Sequence, residues 1–120
     1  RTAAWRDLMQ RFGGEVDWAG YEAMRDHAWH RQLHVFLHPF YYVEYGLAQL
    51  GAVQIYGNAR KDQKKAVAEY RKALALGATV PLPELFSAAG ARFAFDGSTL
   101  RDAVVLMQEV IDEMEAKLER

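Results

Sequence analysis

Residues 40–56, Phe40-Tyr41-Tyr42-Val43-Glu44-Tyr45-Gly46-Leu47-Ala48-Gln49-Leu50-Gly51-Ala52-Val53-Gln54-Ile55-Tyr56, hold almost no charge and no strand-like alternation. Phe40, Val43, Leu47, Leu50, Val53 and Ile55 spread round a helical wheel, with Gly46 and Gly51 between them. A helix that is apolar nearly all round belongs inside a larger helical assembly, with small residues where neighbours approach closely. The stretch therefore predicts a helix over 40–56 and an all-α fold.

The flanking sequence extends the same pattern. Upstream, Trp5, Leu8, Met9 and Phe12 share one face of a short helix over 3–12, ended by Gly13-Gly14. Asp17 then reads as the N-cap of a long helix to Phe36, with Trp29, Leu33 and Phe36 as its buried stripe. Pro39 breaks or bends that helix, because proline lacks an N–H and clashes with the preceding turn. Downstream, residues 60–76 are amphipathic and stop at Gly77, and a short helix over 81–89 stops at Gly90. Ser98 or Thr99 reads as the cap of a last helix, with Asp102 completing a capping box. Leu100, Val104, Met107, Ile111, Met114 and Leu118 form its core stripe. The expected architecture is a single domain over 1–120, a helical bundle of about five or six helices.

Composition narrows the function classes. Fifteen basic and 16 acidic residues leave a formal charge of −1. Nucleic-acid and membrane-surface binders usually need a basic face, so neither partner is expected. The run Arg60-Lys61-Asp62-Gln63-Lys64-Lys65 lacks interleaved aromatics and reads as a solvated helix start. There is no cysteine, hence no disulfide framework and no thiolate metal site, and a reducing cytoplasm is the expected compartment. His27, His30, His34 and His38 are spaced 3, 4 and 4, along one side of the predicted long helix. His30 and His34 have the i, i+4 spacing of a chelating pair, but Arg31 stands where a zinc peptidase carries its glutamate base.

The segment RQLHVFLHPFYYVEYGLAQ, residues 31–49, resembles the substrate-side segment of the oligoendopeptidase F branch of thimet-type zinc metallopeptidases. YRKALALGATVPLPELFSAAGARFAF, residues 70–95, resembles the closing segment of the same family, in the family's order. The resemblance implies the C-terminal lobe of a larger helical metallopeptidase whose substrate is an oligopeptide. It also implies zinc in the intact parent, held by a His-Glu-x-x-His helix and a later Glu. This sequence contains no His-Glu-x-x-His, so the chain itself is expected to bind no metal and to be inactive without an N-terminal catalytic portion.

By the same resemblance His34, Tyr41, Tyr42, Tyr45 and Gly46 contact substrate, and tyrosine hydroxyls, with Tyr42 and Tyr45 preferred over Tyr41, serve as oxyanion donors. His34 is grouped with them as a catalytic candidate. A phenol can stabilise the growing charge on a peptide carbonyl oxygen without adding a competing charge. On a continuous helix Tyr45 shares a face with Tyr41 and with Tyr42. The competing reading is a non-catalytic helical interaction module that kept the fold and lost the chemistry. In either case the apolar face of the 40–56 helix, if uncovered, is expected to drive association into a homodimer or larger assembly.

Overall fold

The computed structural model describes residues 1–119. The protein is all-α, with seven α-helices and one 3-10 turn among the described residues. They fall into two compact units, Arg1–Val43 and Glu44–Arg120.

In the first unit α1 (Thr2–Phe12) packs with α2 (Glu22–His27). Gly14, at φ 69°, takes the left-handed conformation after α1 that the glycine pair predicted. An ionic knot ties the two helices together. Asp26, only 6% exposed, accepts from Arg6 Nε at 2.7 Å and from Arg25 Nη2 at 3.0 Å. Both guanidiniums favour the charged carboxylate, so Asp26 titrates below the usual range, with the Arg6 hydrogen bond the largest cause. Trp5 Nε1 donates to the Arg25 carbonyl at 2.8 Å, anchoring the same corner.

The long helix expected from Asp17 to Phe36 is not formed. Asp17 closes a local turn instead, its Oδ1 accepting from the Ala19 N–H at 2.9 Å. After α2 the chain tightens into a 3-10 turn (Ala28–Arg31), then makes one further helical turn, α3 (His34–Leu37). His27, Trp29 and His30 crowd this bend with rings of modest helix propensity. Trp29 finds its partners in Arg1, Thr2 and Phe36. Trp29 and Phe36 do stack, at 5.7 Å between ring centroids, but Leu33 and Phe36 are exposed and no buried stripe results.

The second unit holds α4 (Val43–Lys61), α5 (Gln63–Leu76), α6 (Leu82–Ala88) and α7 (Gly97–Leu118). The apolar helix thus starts three residues later than predicted and runs five residues further. The amphipathic segment starts at Gln63 rather than Arg60, because Asp62 breaks the charged run and caps α5, accepting from Lys65 N–H at 3.0 Å. Arg60 remains on α4 and pairs with Glu113 of α7. Small residues set the packing. A Cβ on Gly51 would sit 2.7 Å from the Phe86 ring, and one on Gly57 would sit 2.8 Å from Leu106.

Side-chain amides on α4 hold the loop before α7. Gln54 Oε1 accepts from Arg92 N–H at 2.8 Å while its Nε2 donates to the Arg92 carbonyl at 3.1 Å. Asn58 Nδ2 donates to the Gly90 carbonyl at 2.8 Å. Gly90, at φ 73°, ends the α6 region as expected, and Gly77, at φ 54°, ends α5.

The cap of α7 is Asp96, not Ser98 or Thr99. Its carboxylate accepts from Ser98 Oγ at 2.6 Å, Thr99 N–H at 2.8 Å and Thr99 Oγ1 at 3.0 Å. Those three donors, the Ser98 hydroxyl foremost, hold Asp96 far below the ordinary carboxylate range. The inward face of α7 also differs from the predicted one. Thr99 and Ala103 are buried and Leu106 and Val110 half-buried, whereas every residue of the predicted core stripe is exposed.

Candidate functional site

The predicted site residues divide between the two units. His34 opens α3, and Tyr41 and Tyr42 follow in the turn before α4, all in the first unit. Tyr45 and Gly46 lie in the first turns of α4, in the second. The shared helical face expected for the three tyrosines is therefore absent, because Tyr41 and Tyr42 precede the helix. The cause is local. Pro39 stops α3, and Phe40 adopts φ 68°, a left-handed conformation unusual for a bulky side chain, leaving its ring 95% exposed.

That reversal gathers rings around His34. Tyr42 lies 5.1 Å away, centroid to centroid, and Tyr41 lies parallel to the imidazole at 6.1 Å. His38 closes the group, 6.4 Å from His34 and 6.2 Å from Tyr41. His34 is half-buried, while Tyr41 and Tyr42 are about half exposed, so the imidazole forms the floor and the phenols the open rim. Such a group offers hydroxyl and imidazole hydrogen bonds next to apolar ring faces, a combination suited to an extended peptide. His38, absent from the predicted set, belongs to it by position. Its i, i+4 spacing from His34 was the available signal.

In the second unit Gly46 faces the Phe95 ring, where an added Cβ would meet carbon at 3.5 Å, ordinary contact distance. Tyr45 is about half exposed.

The histidines do not form a single row, since the 3-10 turn and residues 32–33 interrupt the helix between His30 and His34. His27 and His30 approach to 5.7 Å as a separate pair. Among the described residues no group of three His, Cys, Asp or Glu side chains is placed to hold a metal ion. No described helix is long and apolar enough to cross a membrane.

No family model, no curated protein and no solved structure matches the chain.

Proposed function

We propose that this chain is the substrate-side part of a zinc-dependent oligopeptidase, acting in the cytoplasm on oligopeptides together with a catalytic portion that lies outside these residues. The observation that carries the reading is the His34–Tyr41–Tyr42 ring group, built by the segment whose sequence resembles the oligoendopeptidase substrate side. Among the described residues no group of three His, Cys, Asp or Glu is placed to hold zinc, and in this reading the metal, which would activate the attacking water, is held by the catalytic portion.

The work of this chain is then binding and charge stabilisation. Half-exposed phenols at Tyr41 and Tyr42 are the candidate donors to peptide carbonyl oxygens in the first unit, and Tyr45 is a separate candidate in the second. A hydroxyl aimed at the scissile carbonyl strengthens its hydrogen bond as negative charge develops there. His34, at the floor of the group, orients the peptide through an imidazole hydrogen bond and supports the Tyr42 ring.

The test is a titration of the chain with a phosphinic peptide, whose tetrahedral oxygens mimic the charged intermediate, followed by NMR of the histidine and tyrosine ring protons. Saturable shifts at His34, Tyr41 and Tyr42, lost in Tyr42→Phe, are expected. Unmoved resonances at all three would refute the binding role.

A further inference from the structure

The stripe that failed to enter the core is the most regular feature of the molecule. Leu100, Val104, Met107, Ile111, Met114 and Leu118 follow one another at spacings of 4, 3, 4, 3 and 4 along α7. That is a strict heptad seam, the pattern that keeps one helix facing another in a coiled coil. Its members are between 43% and 86% exposed. The inward seam, Thr99, Ala103, Leu106 and Val110, lies one residue earlier at each step, so α7 has two neighbouring seams and its own unit occupies one. Val104, Ile111 and Leu118 take the a positions and Leu100, Met107 and Met114 the d positions.

The flanking charges select the occupant and its direction. Arg101 and Glu115, both exposed, occupy e positions at opposite ends of the seam. In an antiparallel pair e positions face e positions. Setting Leu100 against Leu118, Val104 against Met114, and Met107 against Ile111 of a second copy matches every a residue to a d residue. The same register brings Arg101 of each copy to Glu115 of the other, twice by symmetry. A parallel pair would instead set Ala103 against Gln108 and Val110 against Glu115, and would bring Arg101 only to Asp96, whose carboxylate is already taken up in capping α7. A closed two-fold contact is also the commonest arrangement for identical chains.

We propose that α7 is a self-association helix, and that two copies of this chain pair antiparallel through the Leu100–Leu118 seam, locked by reciprocal Arg101–Glu115 bridges. The inference rests on α7 alone and is independent of the peptidase reading.

The experiment is sedimentation equilibrium of the full chain from low-micromolar to submillimolar concentration, with disulfide trapping. The chain has no cysteine of its own, so introduced ones report cleanly. A dimer is expected, and Ile111→Glu should abolish it while circular dichroism stays unchanged, since Ile111 is already exposed in the monomer. Arg101→Glu should weaken the dimer about tenfold by placing like charges together twice, and adding Glu115→Arg should restore it. Mixing Arg101→Cys with Glu115→Cys chains should give a disulfide heterodimer, whereas neither alone should cross-link. A monomer at every concentration overturns the proposal. So does a dimer indifferent to Ile111→Glu, or cross-linking of Arg101→Cys to itself.

Discussion

Gly46 and Gly51 lie on the same helix and look alike in sequence, yet the structure predicts opposite responses to one added methyl. In mid-helix, Gly→Ala gains about 0.5–1 kcal/mol from reduced backbone freedom in the unfolded chain. At Gly46, near the start of α4, part of that gain applies and nothing opposes it, because the new Cβ meets the Phe95 ring no closer than 3.5 Å. At Gly51 it meets Phe86 Cε1 at 2.7 Å and Cζ at 3.1 Å, well inside contact distance. The ring packs edge-on against Phe93 at 5.1 Å, and it must give up that position to admit the methyl. Overpacking of this kind costs about 1–3 kcal/mol, which outweighs the helix gain.

Gly46→Ala should therefore stabilise the second unit and Gly51→Ala destabilise it. A domain this size shifts its Tm by about 4–8 °C per kcal/mol, so the two variants should melt at least about 4 °C apart, with wild type between them. Gly57→Ala is the control. The clashing atom there is one rotatable methyl of Leu106, so its change should be smaller than that of Gly51→Ala. The assay is thermal unfolding by circular dichroism. Equal stabilisation by Gly46→Ala and Gly51→Ala would refute the α4–α6 packing described above.

Asp26 titrates below its unfolded value, so its stabilising contribution is complete above about pH 4 and is lost as pH falls through the lower folded value. Acid unfolding of the first unit should steepen below that point, and Asp26→Asn should lower its Tm at neutral pH and flatten the acid limb, read by Trp5 and Trp29 fluorescence. Asp96→Ala should free the first-turn amides of α7, so that hydrogen exchange at Thr99 accelerates while exchange at Met107 is unchanged; Asp96→Ser should preserve much of the protection. Charge reversal at Arg101, with rescue by Glu115→Arg, measures the antiparallel dimer in the same way.

The sequence announced most helices through their punctuation. Gly13-Gly14, Gly77, Pro81 and Gly90 each end or open a helix as read, whereas Pro39 follows the single turn α3 and not the long helix expected before it. Competing caps were harder to rank. Asp96 and Thr99 both precede an apolar run, and only the folded loop shows one carboxylate collecting three donors. Asp62 lay hidden in a charged run that reads as a solvated helix start from Arg60, although its carboxylate caps α5.

Periodicity also reports that a face is apolar without reporting what covers it. In α7 the bulkier seam looked like core, yet the smaller Ala103 side marks the inward face. The ring group around His34 was legible only in part. His34, Tyr41 and Tyr42 came from the resemblance, but their convergence depends on the Pro39 break and the left-handed Phe40, which sequence spacing alone does not convey.

The proposed oxyanion role of the tyrosine hydroxyls is tested most directly by kcat and KM for peptide hydrolysis by the whole gene product carrying Tyr42→Phe or Tyr45→Phe, with Tyr41→Phe alongside. At least one substitution should lower kcat by roughly 100-fold with little change in KM and in Tm, since the lost hydrogen bond acts only in the transition state. Unchanged kcat in all three variants would contradict the account.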